Sequence, residues 1–399
     1  MSLLRIAPTL SRDAMRVATS PSRDEFRVAP TLSAYTQFHR ASLATPSPST
    51  RYLYFVTWAG FANRVLALLS ALMLAILTDR VLLVDDDAFP AGVFELPIRW
   101  LASECAYFSA LPRTSDEWRV VETEQKPFTA ELAWLGCTNL SAPRVLEYRS
   151  IAQYLVPVLL RNPNLRGAAL LHELGDSPVQ SLLRYLLPPS ARVRERLAEL
   201  LADAPQRPRS VGLQLRMHNT WVRAGNRRLT DWAARCALNS WRALGDADAA
   251  VHVASDDDAA RATVRRAVTA RGVPSVTSLA LGSAATSENM TDAWLELLAL
   301  SQSDALVTTG GSSFGYLARA LSRAPPDRIR VLTGWDRADA RPFALSADCP
   351  TVVSREPCLM HAWRADWQVG ATPCFRAAAY DERTLAQLLR PMERRSACF

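Results

Sequence analysis

Arg216 is placed in this sequence to act on a negatively charged group. It directly follows the apolar run Val211–Leu215, which predicts a buried β-strand, so the arginine would lie at the carboxyl end of that strand. A guanidinium held there can bind a phosphate or a carboxylate through paired hydrogen bonds. The alternative for such an arginine is a structural ion pair, and the strand pattern alone does not choose between the two roles.

A turn of small residues, Thr308–Tyr316, is the second feature with chemical potential. Threonines end a predicted strand there, two glycines permit a sharp turn, and Ser312 and Ser313 would open a helix. The free backbone N–H groups and the positive dipole end of a helix start suit a pyrophosphate. An ordinary strand-to-helix turn is the alternative.

Two further strand ends carry polar residues. The segment Gly60–Arg64 contains Asn63 and follows the apolar run Tyr52–Val56. Ser255 and Asp256 follow another apolar run, where a carboxylate could accept a hydrogen bond from a base or a ribose. At Asp256 the alternative role is an N-cap of the next helix.

Two series of alternating strands and helices would position these residues. The first series has strands at 52–56 and 81–84 around a helix at 65–78. The second has strands at 211–215, 250–254, 276–279, 305–308 and 329–332, with helices at 230–243, 257–270, 291–300 and 313–322 and N-caps at Thr230 and Asp256. Helices of this length between strands predict parallel, doubly wound sheets. The expected fold is therefore α/β, with two Rossmann-like halves whose carboxyl edges face one cleft.

Composition divides the chain into four predicted parts. Residues 1–50 are rich in Ser, Thr, Pro and Arg and are expected to be a disordered tail. Residues 51–206 form an N-terminal Rossmann-like domain, mostly helical after residue 130, and residues 207–340 form a C-terminal one. Residues 341–399 form a C-terminal segment containing Cys349, Cys358 and Cys374.

Composition and charge exclude several classes of protein. The chain of 399 residues is 49% hydrophobic and 21% charged, which is typical of a globular protein. Its net charge is +7, but Lys126 is the only lysine and no basic run is interleaved with aromatic residues, so we expect no nucleic-acid role. The apolar run Val65–Leu77 is too short to span a bilayer, and residues 1–15 lack a signal-peptide core. Membrane attachment is expected only through an anchor absent from this chain.

Several blocks of the sequence carry recognisable motifs. They are Gly60–Arg64 with the following helix and Arg80–Asp85, Tyr154–Leu159, Arg184–Pro188, Gly212–Arg216, Leu300–Tyr316 and Glu356–His361. Taken together, these blocks resemble the plant xyloglucan α-1,2-fucosyltransferase family. The resemblance runs discontinuously from about Tyr52 to Cys374, and the order and approximate spacing of the blocks agree with the family.

The resemblance implies a GT-B glycosyltransferase that uses GDP-fucose, inverts the sugar carbon, needs no metal and works in the Golgi lumen. The implied acceptor is a galactose hydroxyl of a cell-wall polysaccharide such as xyloglucan, with arabinogalactan-type glycans as the next candidate. Another sugar nucleotide remains an alternative. So does a non-catalytic glycan-binding homologue, because Ala152-Gln153 stands where family members tend to carry Asp-Asn. A homodimer is left open.

The residue types then suggest roles in such a reaction. Arg216 would neutralise the leaving diphosphate, and the candidates for the general base are His218, Asp85 and His361, with His218 adopted as the second catalytic residue. The expected donor-binding residues are Arg216, Ser255, Asp256, Gly60, Asn63, Arg64, Ser312, Ser313, Phe314, Gly315 and Tyr316.

The acceptor side is expected to use Trp58, Tyr154 and His361, with core packing as the alternative for the aromatic residues. The acidic triplets Asp85–Asp87 and Asp256–Asp258 are interpreted as turns and caps rather than metal ligands. The resemblance also makes luminal disulfides plausible for Cys349, Cys358 and Cys374.

Overall fold

A computed structural model describes residues 30–89, 92–98, 100–113, 117–122, 140, 143–150, 154–162, 164–165, 167–175, 177–202, 209–217, 227–278, 287–310, 312–332, 349, 351 and 355. The described residues form two parallel α/β sheets in succession along the chain. The predicted fold class is confirmed.

The N-terminal half is a four-stranded sheet in the order β2-β1-β4-β3, with every neighbouring pair parallel. Its elements are α1 (Pro30–Ala44), β1 (Tyr52–Val56), α2 (Phe61–Leu77), β2 (Val81–Val84), α3 (Ala106–Ser109), β3 (Trp118–Glu122), β4 (Val145–Arg149), α4 (Val156–Arg161), α5 (Gly167–Leu174), α6 (Pro178–Leu186) and α7 (Ala191–Ala202). Strands β3 and β4 lay outside the prediction, which expected mostly helix after residue 130. They supply half of this sheet.

Helix α1 corrects the prediction of a disordered tail up to residue 50; residues 1–29 lie outside the described residues. Its buried residues Leu32, Tyr35 and His39 fall on one helical face. The Tyr35 hydroxyl accepts from Leu82 N at 3.1 Å, and His39 Nε2 donates to Leu82 O at 2.9 Å. Burial lowers the pKa of His39, in keeping with a neutral ring. Helix α1 thus satisfies the outer backbone groups of the edge strand β2.

Arg80, just before β2, forms hydrogen bonds with the segment that leads into β4. Its side chain is fully buried, and its guanidinium donates to four backbone carbonyls, those of Tyr52, Leu140, Pro143 and Arg144, at 2.5–3.2 Å. Burial lowers the pKa of Arg80 to about 9. The arginine of the recognised block therefore has a structural role.

The C-terminal half is a five-stranded parallel sheet in the order β7-β6-β5-β8-β9. Its elements are β5 (Ser210–Leu215), α8 (Arg227–Ala243), β6 (Ala250–Ser255), α9 (Asp258–Thr269), β7 (Val276–Thr277), α10 (Ser287–Ser301), β8 (Ala305–Thr309), α11 (Ser313–Leu321) and β9 (Ile329–Leu332). Every predicted strand and helix of this half is present, although Thr230 lies inside α8 instead of capping it. The chain runs outward from β5 to β7 and returns at β8, so the topological switch point lies between β5 and β8.

One hydrophobic core joins the two halves. Helix α2 lies in it with nearly every residue buried, and it packs against α11. The ring of Phe61, the first residue of α2, lies 6.0 Å from that of Trp294 on α10. Gln180 Nε2 on α6 donates to Ala320 O on α11 at 2.9 Å. The turn that follows β1 and the helices flanking β8 therefore share one side of the molecule.

Cys236 on α8 and Cys349 form a disulfide with their Cα atoms 5.7 Å apart. It ties the chain beyond β9 to the C-terminal sheet, and Arg330 Nη1 donates to Cys349 O at 3.0 Å beside it. Within the described ranges, no helix is both long enough and apolar enough to cross a membrane.

Candidate functional site

The site begins where β5 and β8 separate. Their ladder ends with Gln214 opposite Thr308, and Gly310 N already bonds Leu332 O of β9 at 2.9 Å. A crevice at such a switch point is where ligands of open parallel sheets bind. Arg216 follows β5 on one side of the crevice, and the start of α11 follows β8 on the other.

The Arg216 side chain is 45% exposed, and its Nη1 lies 2.7 Å from Asp256 Oδ2. Asp256 Oδ1 also accepts from Met217 N at 2.7 Å. The Asp256 carboxylate therefore binds both the Arg216 side chain and the backbone of the next residue. The ion pair that the sequence analysis gave as the alternative role of Arg216 therefore exists. The guanidinium leans toward β6, away from α11, yet it remains open to an anion.

Asp256 does not cap α9. The cap is Asp257, whose Oδ1 accepts from Ala260 N at 2.8 Å. Ser255 is only 3% exposed, and its Oγ accepts from Asp257 N at 3.2 Å, so its side chain faces the turn. The predicted donor contact of the Ser255 side chain is not supported by this placement.

Helix α11 starts at the turn that the sequence singled out. Ser312 is its N-cap, with Oγ accepting from Gly315 N at 3.3 Å. A Cβ on Gly315 would lie 2.8 Å from Gln214 Oε1 and 3.1 Å from Thr309 O, so only glycine fits against the sheet here. The start of α11 is therefore packed closely onto the end of β5; Gly311 lies outside the described residues.

The aromatic residues of this turn point inward. Tyr316 is 3% exposed, with the Arg319 guanidinium 4.5 Å from its ring centroid. Phe314 packs partly buried against the core, whereas Ser313 is partly exposed. Burial lowers the pKa of Arg319. Tyr316, predicted to contact a donor, instead supports α11 from within the core.

The turn after β1 has unpartnered polar atoms. Thr57 Oγ1 and Asn63 Oδ1 are buried and have no hydrogen-bond partner among the described residues. Gly60 is exposed beside them at the start of α2. Arg64 is committed elsewhere, because it donates to the carbonyls of Ala59, Asp87 and Ala88, and burial lowers its pKa. Arg64 thus braces the loops after β1 and β2, which does not fit the predicted direct contact with a donor.

The acidic triplet after β2 is built into turns. Asp85 accepts from the Tyr54 hydroxyl at 2.5 Å and from Asp87 N at 3.1 Å, and Asp86 accepts from Ser103 Oγ at 2.6 Å. Burial and the neighbouring Asp85 raise the pKa of Tyr54 above its ordinary value. Where side chains are described, no three His, Cys, Asp or Glu residues are grouped as metal ligands would be.

On the predicted acceptor side, Trp58 is 52% exposed next to the β1–α2 turn. Tyr154 has no exposed surface and belongs to the hydrophobic core, so its ring cannot stack on a sugar. This corrects the prediction for Tyr154. His218 and His361 lie outside the described residues.

The sequence analysis gave no site role to Thr57, Gln214 or Thr309, although Gln214 lies in a recognised block and Thr309 in the turn of small residues. Two of them had a further signal: Thr57 is the first residue after a strand, and Gln214 interrupts an apolar strand one residue before its end. A buried amide in such a run requires hydrogen-bond partners, which points to a special local geometry.

Comparison with known proteins agrees with this architecture. Residues 31–105 match the family model described as xyloglucan fucosyltransferase. The solved structure of an arginine-to-lysine mutant of Arabidopsis thaliana FUT1 in complex with GDP has a TM-score of 0.64 and 20% identity, covering 82% of this chain and 83% of that chain. The crystal structure of the fucosyltransferase NodZ from Bradyrhizobium has a TM-score of 0.47 and 15% identity, covering 71% of this chain and 94% of that chain.

None of the curated protein sequences compared with this chain matches it. At 20% identity, the likeness to FUT1 shows the fold of this chain. The resemblance inferred from the sequence blocks is confirmed over residues 31–105, where the chain matches the xyloglucan fucosyltransferase model.

Proposed function

We propose that this protein is an inverting, metal-independent fucosyltransferase. It transfers L-fucose from GDP-fucose to a galactose hydroxyl of a cell-wall polysaccharide such as xyloglucan. One observation carries the proposal: the half-exposed guanidinium of Arg216 and the capped start of α11 lie on the two sides of the switch-point crevice. The family signature and the likeness to a GDP-bound fold support the same donor.

The difficult step is departure of GDP, because negative charge grows on the β-phosphate as the bond to the sugar breaks. Asp256 occupies one edge of the Arg216 guanidinium, and an arginine has further N–H donors for an anion. The backbone N–H groups at the start of α11 add oriented dipoles. Both features act on charge that is larger in the transition state than in the ground state, and that difference is what accelerates a reaction.

The β1–α2 turn is proposed to bind the sugar of the donor. A sugar offers hydroxyl groups that donate and accept hydrogen bonds. Asn63 Oδ1 and Thr57 Oγ1 are buried and have no partner among the residues that the structure describes, and leaving such atoms unpaired is costly. A ligand that satisfies them gains binding free energy that the free protein lacks.

For the base, we retain His218, two residues beyond Arg216 in sequence. Asp85 is less suited, because both of its oxygens already accept hydrogen bonds. Trp58 is proposed to stack on a sugar ring of the acceptor, since its indole is exposed beside the donor side of the cleft.

We propose the Golgi lumen as the location. The Cys236–Cys349 disulfide supports this, because such bonds persist in the oxidising secretory compartments and are rare in the cytosol.

The test is transfer by the Arg216→Ala variant. With GDP-fucose and a panel of plant polysaccharides, we expect it to lose about 100-fold or more in kcat, which corresponds to about 3 kcal/mol. Arg216→Lys should recover only part of this, because it lacks the planar fork. Thermal unfolding serves as the control and should change little, since the side chain is half-exposed. Transfer by Arg216→Ala at the parental rate would contradict the mechanism.

The wild-type protein separates the alternatives. Calorimetric titration with GDP, UDP and ADP tests the donor base. Slow release of GDP from GDP-fucose without acceptor indicates an enzyme, whereas glycan binding without release indicates a non-catalytic homologue.

A further inference from the structure

We propose that Gln214 and Thr309 are positioning residues that set the distance between Arg216 and the start of α11. The inference rests on the proposed donor site. Gln214 and Thr309 do not themselves contact the donor; they act by holding Arg216 and Ser312, which are proposed to contact it.

Gln214 is 3% exposed, and its side chain crosses the crevice from β5. Its Oε1 accepts from Thr309 N at 3.1 Å, and its Nε2 donates to Ser312 Oγ at 3.3 Å. The backbone N–H can only donate, so the orientation of the amide is fixed. One side chain therefore binds both the last residue of β8 and the N-cap of α11.

Thr309 makes the return connection. Its Oγ1 donates to Gln214 O at 3.2 Å and accepts from Arg216 N at 3.0 Å. A hydroxyl thus replaces the backbone ladder at the point where β8 turns toward β9. Since the acceptor of Arg216 N is this hydroxyl, the position of the Arg216 backbone depends on Thr309.

The two residues form a closed set of hydrogen bonds between the two sides of the site. Gly315 packs against the same amide, so α11 cannot move closer to β5, and the hydrogen bonds keep it from moving away. Displacements of about 1 Å in a catalytic arrangement can cost about 100-fold in rate. Loss of this connection should therefore appear in turnover as well as in stability.

A carboxylate at position 214 provides a readout that a purely structural role would not affect. Gln214→Glu keeps an acceptor for Thr309 N, and the Ser312 hydroxyl can rotate to donate to the new oxygen. It also places a negative charge beneath the proposed diphosphate site, in a buried position where screening is weak. This charge should oppose GDP and leave guanosine, which has no phosphate, almost unaffected.

The experiment measures GDP and guanosine affinity by calorimetry and kcat and KM for GDP-fucose in four variants. We expect Gln214→Glu to lose about 10-fold or more in GDP affinity, with guanosine affinity changing less than about 3-fold. We expect Thr309→Val to lose about 10-fold or more in kcat, and Thr309→Ser, which keeps the hydroxyl, to recover most of that loss. Thr308→Val is the matched control, because the buried Thr308 Oγ1 has no partner in the described part of the chain.

Equal losses for GDP and guanosine in Gln214→Glu, or equal activity in Thr309→Val and Thr308→Val, would overturn the inference. Should Gln214→Glu fail to fold, the threonine variants decide alone. A wild-type protein that neither binds GDP nor transfers fucose overturns the proposed function instead, and this inference falls with it.

Discussion

The two strand-to-helix turns of the proposed site are built in opposite ways. At the β8–α11 turn, Ser312 caps the helix, and Gly315 is pressed against Gln214. At the β1–α2 turn, the N-cap is Gly60, and no described atom lies within 4 Å of where its Cβ would be. Asn63 there has a buried oxygen that no described residue contacts through a hydrogen bond.

The difference separates a preorganised turn from one completed by its ligand. At the β8–α11 turn, hydrogen bonds join Gln214 to Thr309 and to Ser312, so the geometry of the turn exists before a donor arrives, as stabilisation of a transition state requires. The β1–α2 turn leaves two buried oxygens, Thr57 Oγ1 and Asn63 Oδ1, without a partner in the described part of the chain. Mutations should therefore lower stability at the first turn and lower activity, with little loss of stability, at the second.

Gly315→Ala should have the largest effect. The added Cβ would lie 2.8 Å from Gln214 Oε1, 3.1 Å from Thr309 O and 3.2 Å from Thr308 Cβ, so the start of α11 must shift. We expect a loss of about 1–3 kcal/mol in the free energy of unfolding and of about 100-fold in transfer rate. Denaturant unfolding measures the free energy of unfolding, and the transfer assay measures the rate. A variant with parental stability would show that the turn is not closely packed.

Asn63→Ala tests the other turn. We expect a loss of about 10-fold in kcat/KM for GDP-fucose, equivalent to one hydrogen bond of about 1.4 kcal/mol. Stability should hold within about 0.5 kcal/mol, because the oxygen removed has no hydrogen-bond partner in the described ranges. Thermal unfolding of the free protein and steady-state kinetics separate the two quantities. A large loss of stability without a change in kinetics would reverse the comparison.

Ser312→Ala removes the cap of the preorganised turn. The expected loss is about 1 kcal/mol in the free energy of unfolding, since Gly315 N and Gln214 Nε2 both lose an acceptor. Chemical denaturation provides the measurement, with Ser313→Ala, one residue along the same turn, as the control. Equal losses in both variants would argue against a specific capping role.

Gly60→Ala should have the smallest effect and is the counterpart of Gly315→Ala. Gly60 has φ −65°, which any residue adopts, and a Cβ there would meet no atom of the described residues within 4 Å. We expect the free energy of unfolding to change by less than about 0.5 kcal/mol. A loss as large as that of Gly315→Ala would mean that the two turns are equally constrained.

Much of the fold follows from apolar periodicity. Strands β5, β6 and β8 are predominantly apolar and buried, and parallel strands covered on both faces have this pattern. Strands β3 and β4 each contain two charged residues, at Arg119 and Glu122 and at Glu147 and Arg149, so no continuous apolar run marks them. Helix α1 was hidden by its Ser- and Thr-rich composition, although Pro30 at its start and the spacing of Leu32, Tyr35 and His39 were signals.

The site was predictable in its positions but not in its contacts. The strand-end residue Arg216 and the N-cap Ser312 lie where the strand and helix patterns placed them. The sequence places three aspartates in a row at 256–258, and it could not show which of them caps α9 and which pairs with Arg216. In the structure Asp257 is the cap and Asp256 is the partner of Arg216. Burial of Tyr154 likewise depends on packing between helices far apart in the chain.

Helix α2 has a consequence for synthesis of the protein. Its apolar surface is covered on several sides, and one covering helix, α11, comes from the C-terminal half. On the ribosome, α2 emerges long before α11 has been translated, because domains are made in order from the N-terminus. During that interval the nascent chain exposes a hydrophobic segment. We therefore expect chaperones to bind residues 61–77 until α11 has been translated.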